Sequence, residues 1–245
     1  MKKRLALILI GLLAVGTFVA SGYGQTAREV LDKMIQAQGG RKVLESIKDS
    51  TIIGSMEMIQ MGFNGTITMY QKEPNKMRMD MDLNVQGMTM TITQAFDGEK
   101  GWTTNPQTGA QELTGKQNED MRRQALGNDA TLNPEKYGIT FTFKGKEKIG
   151  DKDYLVLEQT YKDGEKVSLF IDPATYLIYK TKGKATDQAG SEIDAETIIG
   201  DYKKVGETLV AHSMTIYQNG AEFIRMTFTK VTFNPGLDDS LFKMK

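Results

Sequence analysis

The segment KMRMDMDL, residues 76–83, alternates apolar and charged side chains without interruption. In an extended chain its three methionines and Leu83 share one face, while its lysine, arginine and two aspartates share the other. This alternation is typical of a strand that lies on an apolar core with one face and meets water with the other. The segment therefore predicts an antiparallel sheet with one apolar face.

The same alternation continues along most of the chain in both directions. It begins near Thr51 and runs on through residues 88–93, after which the Asp97-Gly98 pair marks a tight hairpin turn. Turn pairs such as Asn219-Gly220 separate the strands of the second half. Those further alternating stretches lie at residues 139–143, 154–161, 166–171, 177–184, 193–199, 210–218 and 223–233. Together they predict about ten or eleven antiparallel strands.

Two short helices are predicted before the first strand and one in the middle of the chain. Thr26 and Glu29 have the spacing of a capping box, and apolar residues follow at helical intervals, so an amphipathic helix begins there. Gly39-Gly40 ends it, and a second short helix is expected over residues 43–47. Residues 118–126 lose the period of two and carry helix formers, which predicts a lid-like helix between the two sets of strands.

The first 24 residues have the order of a secretory signal. Basic residues 2–4 precede an apolar run at residues 5–20 and the stretch SGYG. The run is shorter than the roughly 20 residues that a membrane-spanning helix needs. Cleavage fits after Gly24 and also after Gly22, and an uncleaved membrane anchor is the alternative. The prediction is export to the periplasm, with residues 25–245 as a single domain because no linker or low-complexity stretch divides them.

The residue types needed for common catalytic and metal sites are scarce. The chain has no cysteine, which excludes Cys-His catalysis, Cys/His zinc sites, disulfides and a thiol-linked lipid anchor. It has one histidine, His212, and no Gly-x-Ser-x-Gly, dinucleotide or phosphate-loop motif. We therefore expect a non-enzymatic protein without cofactor or metal. A hydrolase that uses His212 and nearby carboxylates is a weaker alternative.

The charge balance argues against nucleic acid as a partner. The chain holds 31 Lys and Arg against 31 Asp and Glu, and removal of the three basic residues of the signal leaves 28. Nucleic-acid affinity depends on clustered basic side chains that neutralise phosphates. The basic residues of this chain are scattered along it.

Methionine is the unusual feature of the first strands. Nine of the 15 methionines fall within residues 56–90, where β-branched residues are the usual choice for a sheet. Methionine is unbranched and polarizable, so it adapts to irregular apolar shapes and specifies a tight core less well than isoleucine or valine. Such a face suits acyl chains, and an ordinary core that uses methionine fits the periodicity equally well.

Four segments carry a resemblance to a known superfamily. They are YQKEPNKMRMDM at residues 70–81, AFDGEKGWTTNPQTG at 95–109, FIDPATYLIYK at 170–180 and VTFNPGLDDSLFKMK at 231–245. In order and spacing the mature chain resembles the periplasmic lipoprotein-carrier superfamily, which includes outer-membrane lipoprotein-sorting proteins and mycobacterial lipid-binding lipoproteins. None of the four segments is a catalytic signature.

The resemblance implies an α+β, mainly antiparallel fold: a half-open, strongly curved β-barrel whose concave face is covered by helices. It implies a carrier of lipid or lipoprotein acyl chains, with envelope transport or acceptor proteins as further partners and transient contact with the membrane. An envelope sensor or protein-interaction module that uses the same sheet is the alternative. The lid would comprise Val30, Leu31, Met34 and Ile35, and the apolar cavity would be lined by Met56, Met58, Ile67, Met69, Met77, Met79, Met81, Met88, Met90 and Ile92.

One position departs from the pattern of the superfamily. In the lipoprotein carriers the residue before the proline of the K-x-P-N turn is typically an arginine tied to lid control, and the matching residue here is Glu73. This substitution reverses the charge. Transfer of lipoproteins between the standard membrane partners is therefore in doubt for this chain, whereas a related lipid-binding role is compatible with the change.

Overall fold

A computed structural model describes residues 25–187 and 190–244, so the predicted signal lies outside the described residues. Helices α1 and α2 precede the first strand, and α3 and α4 lie between the sixth and seventh. The helices are α1 (Ala27–Ala37), α2 (Arg41–Ser46), α3 (Gly115–Gln124) and α4 (Asn128–Leu132), with 3₁₀ helices at Pro134–Tyr137 and Asp239–Phe242. Within these residues no helix is long and apolar enough to cross a membrane.

Within the described residues, thirteen antiparallel strands form one sheet, which is strongly curved and not closed. Its spatial order is β6-β5-β4-β3-β2-β1-β13-β12-β11-β10-β9-β8-β7, so the first and last strands pair in the middle. The strands are β1 (Asp49–Met58), β2 (Phe63–Lys72), β3 (Lys76–Val85), β4 (Met88–Phe96), β5 (Gly101–Asn105), β6 (Gly109–Glu112), β7 (Thr140–Ile149), β8 (Lys152–Thr160), β9 (Lys166–Ile171), β10 (Ile178–Thr186), β11 (Glu192–Val205), β12 (Thr208–Gln218) and β13 (Ala221–Phe233).

The predicted fold class is confirmed, and the strand count is higher than the ten or eleven expected. The short hairpin of β5 and β6 was the least visible part of the sheet in the sequence. Every residue of β6 is exposed, so burial imposes no alternation of apolar and polar side chains there. The lid-like helix predicted over residues 118–126 is present as α3, which begins three residues earlier. Helix α4 was not predicted, because five residues are too few to display a helical period.

The helices cover the concave face of the sheet at different places. Helix α1 lies on β8 and β9, where Val30 and Met34 pack against Leu155 and Leu157. Helix α3 lies on β3 and β4, where Met121 packs against Phe96. Helices α2 and α4 share a small core of their own with the other face of α1. The curved sheet is therefore covered in patches, and the spaces between the patches are where cavities lie.

The opposite, outer face receives the C-terminal segment. Arg78 and Trp102 lie on this face, and the side chain of Phe242 is fully buried beside them. The indole Nε1 of Trp102 donates to the carbonyl of Phe242 at 2.7 Å, and Arg78 donates to the carbonyl of Leu241 at 2.9 Å. Part of the charged face of β3 is thus covered by the end of the chain.

Candidate ligand-binding face and cavities

The register of β1 to β4 brings most of the predicted cavity residues onto one surface. Gly54 of β1 lies opposite Ile67, which is opposite Met81, which is opposite Ile92. Strand β13 adds Met226 directly opposite Met56. These residues form an apolar cluster on the concave face, here called the methionine cluster. From the predicted set it contains Met56, Met58, Ile67, Met69, Met81, Met90 and Ile92.

Exposure divides the predicted set into packed and accessible members. Met56 and Ile67 are 1% and 2% exposed, so they form the floor of the methionine cluster. Met69, Met81, Met90 and Ile92 are only partly buried. Met77 and Met79 belong to a neighbouring cluster under α3 with Phe96 and Met121. Met88 is 70% exposed at the tip of the β3–β4 hairpin, away from the rest.

The four residues of α1 predicted as a lid lie on another part of the concave face. Val30 and Met34 contact the strands β8 and β9, while Leu31 and Ile35 contact Leu44 and Leu132 of α2 and α4. All four are buried. The structure therefore groups two of them with β8 and β9 and two with the neighbouring helices, and none of the four with the methionine cluster.

A cavity of about 410 Å³ lies between helices α2 and α4 and the concave face of β1, β2 and β12. We call it the central cavity. Its volume is within the range of roughly 300–1,000 Å³ that small-molecule sites occupy. Of the predicted residues, Met69 and Met77 line it. Its other apolar lining includes Leu44, Ile47, Ile52 and Phe233.

Glu73 lies at the edge of the central cavity and binds the beginning of α4. Its carboxylate accepts hydrogen bonds from the backbone N–H groups of Asn128 at 2.6 Å and Asp129 at 3.2 Å. A Cβ on Gly127 would lie 2.3 Å from Oε1 of Glu73, so a larger residue there would displace the Glu73 carboxylate. Burial raises the pKa of Glu73, and the two backbone donors oppose that shift. The sequence singled out the charge at this position but not its backbone partners.

A second cavity, of about 510 Å³, lies between β4 to β6, helix α3 and the end of β10. We call it the polar cavity. Helix α3 reaches across it, since Lys116 pairs with Glu165, Arg123 pairs with Asp163, and Gln117 donates to the carbonyl of Asp187 at 3.2 Å. Of the predicted residues only Ile92 lines it. Sequence reasoning missed this site because polar residues in strands carry no distinctive period.

His212 is buried in β12 and makes a local contact. Its Nδ1 lies 2.9 Å from the carbonyl oxygen of Val210, two residues earlier. Among residues 25–187 and 190–244 no group of three or more His, Cys, Asp or Glu side chains has an arrangement that could hold a metal ion. The hydrolase alternative therefore gains no support from the surroundings of His212.

No protein-family model matches the sequence, and no curated protein matches it significantly. Solved structures do. A DUF1329 family protein from Desulfovibrio piger has a TM-score of 0.59 at 12% identity, over 90% of this chain and 98% of that one. A domain named for outer membrane lipoprotein sorting, from Vibrio parahaemolyticus, has a TM-score of 0.57 at 16% identity, over 88% and 97%.

A LolA superfamily protein from Nitrosomonas europaea has a TM-score of 0.57 at 13% identity, over 90% of this chain and 98% of that one. Likenesses at such low identity concern the fold and carry no residue roles with them. The resemblance to the lipoprotein-carrier superfamily inferred from four sequence segments is confirmed at that level. The chain has the curved, half-open fold of LolA-superfamily and lipoprotein-sorting proteins.

Proposed function

We propose that this protein is a periplasmic carrier that binds lipid or lipoprotein acyl chains in the central cavity and against the accessible part of the methionine cluster. The observation that carries the proposal is the central cavity itself, because Met69 belongs both to its lining and to the methionine cluster. An acyl chain in the cavity would thus continue along the methionines.

The energetics of such binding follow from the apolar lining. Each methylene removed from water contributes about 0.8 kcal/mol, so a chain of ordinary length offsets the cost of ordering it. The half-buried Met69, Met81 and Met90 have three rotatable bonds each and can adapt to chains of different shape. In this proposal the buried Met56 serves the core, and the partly buried Met69, Met81 and Met90 contact the ligand.

Two further observations support the proposal. The fold is shared with proteins named for lipoprotein sorting, which makes a carrier role the natural comparison. The basic, apolar and small-residue order of residues 2–24 fits export to the periplasm. Binding by burial requires no catalytic group, so we propose a non-enzymatic role.

The test compares two methionines from the predicted set. Met69→Glu places a carboxylate in the central cavity, whereas Met88→Glu places one on an exposed hairpin tip. With a fluorescent diacyl lipid as the probe, we expect Met69→Glu to weaken binding by at least about 10-fold, because an acyl chain cannot offset the desolvation of a carboxylate. Met88→Glu should bind like the wild type. Equal affinities for both folded variants would place the ligand elsewhere.

A further inference from the structure

One row of side chains runs across the first half of the sheet and changes from apolar to polar along its length. Ile52 lies opposite Met69, Met69 opposite Met79, and Met79 opposite Gln94. Gln94 in turn lies opposite Thr103, and Thr103 lies opposite Gln111. The apolar end of this row lines the central cavity and the polar end lines the polar cavity.

One hydrophobic cluster borders both cavities. Met77 lines the central cavity, Met121 lines the polar cavity, and both belong to the cluster under α3. A ligand that occupies both would therefore have an apolar portion over β1 to β3 and a polar portion beside β4 to β6. A lipid has such an apolar portion and such a polar portion.

The polar cavity contains hydrogen-bonding groups without other partners. The hydroxyl of Thr186 and one carboxylate oxygen of Asp120 are buried and make no hydrogen bond within the described part of the chain. Gln94, Thr186 and Asp120 all line the cavity. Buried polar groups are nearly always paired, so these atoms point to a ligand or to water.

The charges of the lining exclude a phosphate as the preferred ligand. Three carboxylates line the cavity, those of Glu112, Asp120 and Asp187, and the described lining contains no lysine or arginine. Two of the carboxylates are neutralised from outside the lining, since Lys100 pairs with Glu112 and Arg123 pairs with Asp120. An anion would be repelled, whereas hydroxyl groups can donate to carboxylates and accept from side-chain amides.

We infer that the polar cavity binds the neutral, hydroxyl-rich headgroup of a glycolipid whose acyl chains occupy the central cavity. The inference rests on the proposed function, which it extends from any acyl-chain ligand to one headgroup class. The cavity's volume of about 510 Å³ is within the roughly 300–1,000 Å³ of small-molecule sites.

The experiment uses three lipids with the same short acyl chains: a monoglucosyl diacylglycerol, the parent diacylglycerol and a phosphatidylglycerol. The variant is Gln94→Leu with Thr186→Val, since both side chains line the polar cavity and the Thr186 hydroxyl makes no hydrogen bond within the described residues. The matched control is Gln60→Leu with Thr66→Val, which makes the same changes at exposed positions outside both cavities.

We expect the wild type and the control to bind the glucosyl lipid about 10-fold more tightly than diacylglycerol, which corresponds to one or two net hydrogen bonds. The cavity variant should lose that preference and bind diacylglycerol unchanged. Equal wild-type affinity for all three lipids, or a preference for phosphatidylglycerol, would overturn the headgroup inference and leave the carrier proposal standing.

Failure to bind any of the three lipids would count against the carrier proposal and not, by itself, against the polar cavity. Methyl glucoside alone then decides, monitored by the side-chain amide NMR signals of Gln94 and Gln117. Shifts of the Gln117 signal, which the variant retains, that disappear in the cavity variant would support a sugar site. No shift at high concentration would overturn it.

Discussion

Glu73 is held between two opposing effects at the beginning of α4. Burial disfavours its charged form, while the N–H groups of Asn128 and Asp129 favour it, and burial is the larger effect because the pKa is raised. A carboxyl with a raised pKa binds a proton more readily in the folded than in the unfolded protein. Its contribution to the free energy of unfolding is therefore fully present at low pH and falls as pH rises through the shifted range.

Glu73→Gln removes this pH dependence. We expect the free energy of unfolding of the variant to improve relative to the wild type as pH rises from below the ordinary value of 4.5 to about pH 7. Urea unfolding at about pH 4 and about pH 7 measures the change. The exposed Glu99→Gln is the control. A variant that loses stability relative to the wild type as pH rises over this range would contradict the conclusion that burial outweighs the two backbone hydrogen bonds of Glu73.

At the scale of the element, helix α3 connects the two halves of the curved sheet. It packs on β3 and β4 through Met121, and its Arg123 reaches Asp163 in the turn between β8 and β9 while lying over the ring of Tyr161 at 5.8 Å. The preceding residue, Arg122, forms its only ion pair within the described part of the chain with Glu119 of the same helix. Of the two neighbouring arginines, only Arg123 makes an ion pair with the second half of the sheet within the described residues, beside the contacts of Lys116 and Gln117.

Arg123→Met should loosen α3, and Arg122→Met should not. Methionine keeps the aliphatic bulk of Arg123 but removes a partly buried ion pair. If the free energy of local opening of α3 falls by about 1 kcal/mol, the amides of the helix exchange roughly five-fold faster. Hydrogen exchange of residues 115–124 reports the effect. Identical protection in the two variants would mean that the Arg123–Asp163 pair does not contribute to holding the helix.

The elements that burial organises were predictable from the sequence. The capping box of α1 is present, with Thr26 accepting from the N–H of Glu29 and Glu29 accepting from the N–H of Thr26. The alternation of residues 76–83 predicted β3, and the helix formers near residue 118 predicted α3. Each of these elements packs against the core with one face, and that face appears in the sequence as a periodic apolar pattern.

The elements and sites that depend on tertiary position were not predictable. Strand β6 has no buried face, and the five residues of α4 owe their position to Glu73, which is 55 residues away from Asn128. Which methionines form floor and which remain accessible depends on curvature and on β13, far away in the sequence. The polar cavity combines β4, α3 and β10, and no local pattern links those three segments.

At the scale of the whole molecule, the C-terminal segment secures the outer face of the sheet. Phe242 is fully buried, and its carbonyl accepts from the indole of Trp102, the only tryptophan of the chain. Lys72 and Lys76 both pair with Asp239 of the same segment. Strand β3 is therefore packed on both faces, with methionines inside and the end of the chain outside.

Phe242→Ala should destabilise the protein by about 3–5 kcal/mol, because a buried aromatic ring is replaced by a cavity. Met244→Ala, two residues later and half exposed, should change the free energy of unfolding by less than about 0.5 kcal/mol. Urea unfolding followed by Trp102 fluorescence measures both. A loss as small for Phe242→Ala as for Met244→Ala would show that burial of Phe242 does not stabilise the sheet.

The central claim is that the curved sheet holds a lipid between its concave face and the helices α2, α3 and α4. Native mass spectrometry with lipid extraction tests it on the full chain expressed in a double-membrane bacterial host and purified from the periplasm without detergent. The account predicts a bound acyl-chain lipid in the wild type and in Met88→Glu, and its loss in Met69→Glu. An empty, monodisperse wild-type protein that captures a protein partner would contradict the account and favour an interaction module.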